Sequence, residues 1–175
     1  MWKDFDSMRK LSVLGFWLVL AVCACGYRFV GGGSFPGGIR QVFVPVFENR
    51  TAEIGFENTF TNDLIYEITR SGQISIGGQD SSQGVLSGTI VLIGIDTVSR
   101  RAVNEAAERR VTMMVDLKLA RSGGELVWAA NSVAGNETYR VTDDRLQTES
   151  NKEAALERLS RRMAEIIYNR MTSDF

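Results

Sequence analysis

Between residues 110 and 120, apolar and polar side chains alternate without a break. Val111, Met113, Val115, Leu117 and Leu119 fall on one parity, and Thr112, Met114, Asp116 and Lys118 on the other. A period of two sets the first group on one face of an extended chain, and that face has to be buried. Ser122-Gly123-Gly124 is hairpin punctuation, so the chain returns as a strand over residues 126–135, with Trp128 as its bulkiest side chain. Upstream, residues 85–98 read as a long strand, apolar on both faces, in which Gly88 and Gly94 permit bends or bulges. Three strands joined this way make an antiparallel meander. Residues 99–109, SRRAVNEAAER, read as the loop between the first two strands, and residues 136–149 as polar loop.

The rest of the pattern is helical or short. Residues 40–47 form a strand with Val42, Val44 and Val46 on one side and Phe43 and Phe47 on the other. Pro45 has no N–H to give a ladder, which predicts an edge or strand-end position. In the helix that follows, ending near Ser71, Phe56, Phe60, Leu64 and Ile68 recur every fourth residue, and Gly72 is a natural residue to close it. Ile74 and Ile76 mark a short strand. Ser150-x-x-Glu153 has the spacing of a capping box. It predicts a last helix running to about Thr172, with Ala155, Leu156, Leu159, Met163, Ile166 and Ile167 on one stripe. The fold class is therefore α+β. A β-α-β unit joins parallel strands, the antiparallel meander completes a mixed sheet of four to five strands, and two amphipathic helices cover one face. The other face is left partly apolar.

The amino end carries a targeting pattern. Lys3, Arg9 and Lys10 precede an uncharged run over residues 11–22, LSVLGFWLVLAV. That run has the length of a signal-peptide core and falls short of the roughly 20 residues a membrane-spanning helix needs. Asp4 and Asp6 fit such a leader poorly, and a start at Met8 gives a cleaner one. The run ends in Val22-Cys23-Ala24-Cys25-Gly26, similar to the lipobox of bacterial lipoproteins, with Val22 and Ala24 at the −3 and −1 positions of Cys25. The expected division is a signal peptide over 1–24, a lipid-anchored glycine-rich tether over 25–38 and one periplasmic α+β domain over 39–175. Cleavage before Cys25 would leave no free thiol and no disulfide, so the domain rests on its core.

Charge is close to balance, with 20 Lys and Arg against 21 Asp and Glu. Nothing in that balance points to nucleic acid. The chain has no histidine, the commonest general base and metal ligand. It has no G-x-S-x-G elbow and no P-loop. Asp143-Asp144 and the pair Glu105 and Glu108 lack calcium-loop spacing and a partner for acid–base work. The expectation is a binding protein, with no catalytic residue, metal or cofactor.

Taken together, Ala24-Cys25-Gly26-Tyr27, the run VFVPVFENRT over residues 42–51, Gly55-Phe56-Glu57-Asn58, Leu86-Ser87-Gly88-Thr89-Ile90, Leu126-Val127-Trp128 after a glycine pair, and Met163-Ala164-Glu165-Ile166-Ile167 resemble the LptE family of lipopolysaccharide-assembly lipoproteins. The segment over residues 79–83 departs from the pattern, lacking a small-acidic pair before the Leu-x-Gly strand. The resemblance implies an outer-membrane lipoprotein that plugs the LptD β-barrel, helps it assemble and binds lipopolysaccharide for insertion into the outer leaflet. Gly26 in place of aspartate after the cysteine points the same way. The β-α-β start is also similar to penicillin-binding-protein activators and curli-secretion lipoproteins, which bind protein partners. The short tether and the second half of the chain favour LptE.

A lipid A ligand needs cations for its phosphates, and arginine presents them a planar fork. The candidates are Arg100, Arg101, Arg109 and Arg110, flanking one loop, with Lys118 and Arg121 toward the opposite end. The plainer alternative is a solvated tip neutralised by Glu105 and Glu108. Arg158, Arg161 and Arg162 read as the wet face of the last helix, Trp128 and Met113 as core, and Met114 as sheet surface. Replacing Cys25 by alanine is expected to abolish incorporation of labelled palmitate and to move the protein from the membrane to the soluble fraction on cell fractionation.

Overall fold

The computed structural model describes residues 35–102 and 105–173. Its elements are β1 (Gln41–Phe43), β2 (Glu48–Asn49), α1 (Phe56–Arg70), β3 (Ser75–Ile76), β4 (Gly84–Ala102), β5 (Glu105–Arg121), β6 (Leu126–Arg140) and α2 (Arg145–Ser173). The sheet runs β3-β1-β4-β5-β6, with β2 also on β4. β1 is parallel to β3 and β4, β2 is parallel to β4, and the meander β4-β5-β6 is antiparallel. This is the expected α+β architecture, with six strands.

The alternation on β5 is obeyed throughout. Val111, Met113, Val115 and Leu119 are fully buried and Leu117 nearly so. Opposite them stand Ile90, Leu86 and Ile93 of β4 and Trp128, Ala130 and Val133 of β6. The helices close this face with Phe60, Leu64 and Ile68 of α1 and Leu159, Met163 and Ile167 of α2, none of which sees solvent. Full burial of each such side chain contributes about 1.5–3 kcal/mol. The buried Ser160 hydroxyl, on α2, donates to Asp63 of α1 and pins the two helices together.

Four expectations are corrected. Residues 99–109 are not a loop, because β4 runs on to Ala102 and β5 starts at Glu105. Ser99, Arg100 and Ala102 pair with Glu108, Ala106 and Glu105, with register shifts that absorb the mismatch. Residues 136–140 belong to β6, in which buried Tyr139 keeps the inward parity of Val133. Helix α2 begins at Arg145 rather than Ser150. The Asp144 carboxylate accepts from the N–H groups of Leu146 and Gln147 at 2.8 and 3.4 Å, so it occupies the capping role.

The fourth correction concerns residues 40–47. They are not one strand, because Pro45 breaks the run and the inward parity changes there. Val42 and Val44 are buried, Val46 is 60% exposed, and Phe47 turns inward. The Phe47 ring lies 5.3 Å from that of Phe60, and its N–H donates to the buried Thr61 hydroxyl at 3.1 Å. The next turn is held by Asn49. Its amide donates to the Glu57 carboxylate at 2.8 Å and to the Glu53 carbonyl, and its oxygen accepts from Thr51 N–H. At the other end of α1, Gly72 takes φ 67°, the left-handed closure expected of it.

At Gly88 β4 lies close against β5, and a Cβ there would meet the Asp116 carbonyl oxygen at 2.5 Å. Gly88→Ala is expected to cost about 1–3 kcal/mol as the two strands move apart. Gly94→Ala, whose nearest neighbour is the Leu92 side chain at 3.9 Å, should change stability by less than about 1 kcal/mol. Urea unfolding midpoints of the two variants test the contrast.

Candidate functional site

β4 and β5 project beyond the short strands β1 and β2, whose pairing with β4 ends at Ile90. Four of the candidate cations belong to this hairpin. Arg100 stands opposite Ala106 near the tip, and Arg101 is its neighbour. Arg109 stands opposite Thr97 and Tyr139, and Arg110 opposite Asp96 and Thr138. The distal half of the hairpin therefore carries all four, strung along its length rather than gathered at one point. Arg109 and Arg110 are exposed, and neither lies within ion-pair distance of a carboxylate among the described residues.

The other two candidates differ from each other. Lys118 is exposed on the face of the sheet away from the helices, level with Ser87 and Ala129. Arg121 is already engaged. Its guanidinium donates to the Gly37 carbonyl at 2.9 Å and pairs with Glu125 at 3.2 Å, which ties the entry of the chain to the β5–β6 turn. Cys25 lies outside the described residues.

Two concavities flank the meander. A groove of about 520 Å³ lies along the helix-free face, between Val46 and Glu48 on one side and Leu126 and Ala129 on the other, with Asp116 and Lys118 on its floor. Val46 and Leu126 are each 60% exposed. Asp116 accepts from Ser132 N–H at 2.7 Å, and Ser132 takes the positive φ of a bulge in β6. At the rim, Glu48 accepts from Arg50 at 3.0 Å and from the Thr89 hydroxyl at 3.1 Å. These contacts, Arg50 first, hold the Glu48 carboxyl below its usual pKa. A smaller hollow of about 290 Å³ sits where the end of β6 meets α2, lined by Glu108, Tyr139, Arg140, Asn151 and Arg158.

Arg140 was missed in the sequence because residues 136–149 read as loop. The parity of Val133, Glu137 and Tyr139 was the signal that β6 continues and carries Arg140 beside Glu108. Trp128 and Met113 are buried as expected, and Met114 is half-buried on the opposite face. Arg158 and Arg162 do more than face water. Arg162 donates to the Asn136 carbonyl and pairs with Glu137 at 3.1 Å, and Arg158 reaches the Thr138 carbonyl. Among the described residues no cluster of three acidic or thiol side chains could hold a metal ion, and no helix is long and apolar enough to cross a membrane.

This fold is shared with several solved bacterial lipoproteins. Lipoprotein B of Nitrosomonas europaea superposes with a TM-score of 0.58 at 12% identity, over 85% of this chain and 91% of that one. Rare lipoprotein B of Shewanella oneidensis gives 0.54 at 17%, over 77% and 96%. A minor lipoprotein of Acinetobacter baumannii gives 0.52 at 9%, over 77% and 94%. No curated protein matches the sequence significantly. The family model for LptE, described as lipopolysaccharide-assembly, matches residues 39–171, and the chain belongs to that family. It is thereby a lipoprotein of lipopolysaccharide assembly at the outer membrane.

Glu48 titrates with its folded pKa below the unfolded value. Its contribution is therefore present above the ordinary carboxylate range and is lost as pH falls through the depressed value. Glu48→Gln is expected to leave stability less sensitive to acid than in the parent, as read from thermal midpoints across the acidic range.

Proposed function

We propose that this chain, anchored in the outer membrane through lipid on Cys25, plugs the lumen of an LptD-type β-barrel, helps it assemble and binds lipopolysaccharide for insertion into the outer leaflet. No bond is made or broken in that work. The match of the LptE family model across residues 39–171 carries the reading.

The geometry supports it in two ways. The helix-free sheet face combines apolar rims at Val46 and Leu126 with the cation of Lys118, a surface suited to a wall or ligand that is itself part apolar and part anionic. Arg109 and Arg110 stand exposed on the hairpin, without carboxylate partners among the described residues, and so are available for phosphate. Arg100 and Arg101 extend the same line toward the tip, with Lys118 and Arg121 at the far end as secondary contacts.

A mild-detergent pull-down of the tagged full chain is expected to bring down a large β-barrel in stoichiometric amount. Recovery of a cell-wall synthase, or of no barrel, would sink the plug assignment. On the ligand side, a charge-assisted hydrogen bond contributes about 1.5–3 kcal/mol. Joint replacement of Arg109 and Arg110 by alanine should therefore weaken binding of purified lipopolysaccharide at least about tenfold, without changing the thermal midpoint. Unaltered affinity would remove the two arginines from the ligand site.

A further inference from the structure

The two free edges of the meander are treated in opposite ways. On β6 the outward carbonyls of Asn136, Thr138 and Arg140 fall two residues apart. Each accepts from a side chain of α2: Arg162 at 3.4 Å, Arg158 at 3.5 Å and Asn151 at 3.0 Å. Helix α2 thus covers that edge with donors, one of the devices by which proteins keep a sheet edge from taking another strand.

Among the described residues β4 has no such cover beyond β2. Its last outward contact is the Ile90 carbonyl, which accepts from Arg50 N–H at 3.0 Å. From Leu92 to Thr97 the strand pairs with β5 alone among the described residues. Leu92 and Ile95 on this stretch, and Val98 just past it, are each more than 40% exposed. Leu92 is level with Met114 on the helix-free face, while Ile95 is level with Val111 on the helix face, so the bare edge is apolar on both sides. Toward the tip the register shifts between Thr97 and Ser99 and again on either side of Arg100. Those irregularities end the flat stretch and limit it to about six residues.

We infer that the edge of β4 over residues 92–97 is a strand-addition site, where an extended segment of the barrel partner joins the sheet beside β4. Main-chain hydrogen bonds hold such a segment and alternate side chains select it. An apolar edge on both faces selects a segment with apolar residues on both parities. Arg109, exposed one strand behind Thr97 and without a carboxylate partner among the described residues, selects an acidic residue where the segment passes Thr97, whereas on the opposite face Asp96 stands between Arg110 and the segment and disfavours one beside it. The inference rests on the barrel-plug reading and deepens it by naming the edge and the kind of segment that meets it.

Amide hydrogen exchange by mass spectrometry, on the detergent-solubilised full chain alone and in the purified barrel complex, tests it. A photo-crosslinking residue at position 95 identifies the neighbour. Amides of 92–97 are expected to exchange at least about tenfold more slowly in the complex. The crosslinked barrel peptide is expected to be an extended segment carrying Asp or Glu. Leu92→Lys with Ile95→Lys, both at exposed positions, should leave the far-ultraviolet circular dichroism unchanged and lower barrel recovery severalfold. An intact complex in which 92–97 exchanges as in the free chain, or in which position 95 crosslinks to a helical or non-acidic segment, overturns this inference and leaves the plug reading standing. Protection that appears in the free chain and rises with its own concentration assigns the edge to a second copy instead. Failure to recover any barrel overturns both.

Discussion

Burial of one face of β5 is the constraint on which the rest of the domain depends. β5 is paired on both edges along nearly its whole length, and its five inward side chains are at most 3% exposed. A slip of one residue against either neighbour would turn those side chains to water and Lys118 and Asp116 into the core. Beside residues 109–120 the extra residues at the register shifts lie mainly in β4 and β6 and preserve this parity, and only near the tip does one fall in β5, between Ala106 and Glu108. The helices follow from it: α1 and α2 lie where the buried row needs cover, joined by the Asp63–Ser160 hydrogen bond.

Covering one face completely leaves the other to function. The helix-free face keeps a groove with apolar rims and a polar floor, and on the projecting hairpin Arg109 and Arg110 have no carboxylate within ion-pair distance among the described residues. The polar groups already committed mark where structure takes precedence. Arg121 is tied to Gly37 and Glu125, Glu48 to Arg50 and Thr89, and Asp116 to the Ser132 N–H. Arg109, Arg110 and Lys118 have no comparable commitment to a carboxylate among the described residues. On the proposed barrel-plug reading this division has a purpose, since a plug that handles lipopolysaccharide would meet both a protein wall and an anionic amphiphile.

The asymmetry of the edges is a tertiary fact of the same kind. β6 is guarded because α2 crosses it at an angle that brings Asn151, Arg158 and Arg162 over successive outward carbonyls. In the sequence Arg158 and Arg162 read only as the wet face of an amphipathic helix. Among the described residues β4 stays bare past Ile90 because β2 is two residues long. It is that short because the Asn49 side chain captures Glu57, Glu53 and Thr51 and turns the chain into α1.

The order of elements, the α+β class, the inward faces of β5, α1 and α2, and the family pattern were all legible in the sequence. Each of these is written in local periodicity or in side-chain chemistry that acts within a few residues. The sequence misjudged the reach of β4, β5 and β6, the parity after Pro45 and the start of α2. Polar residues such as those in SRRAVNEAAER extend a strand only when a partner strand lies alongside, and that partner is distant in sequence. Phe47 turns inward because Phe60 and Thr61 wait there, and no periodicity in residues 40–47 could carry that information. What only the tertiary structure decided is which cations are left over, which are spent on structure and which sheet edge is open, because each depends on groups brought together from opposite ends of the chain.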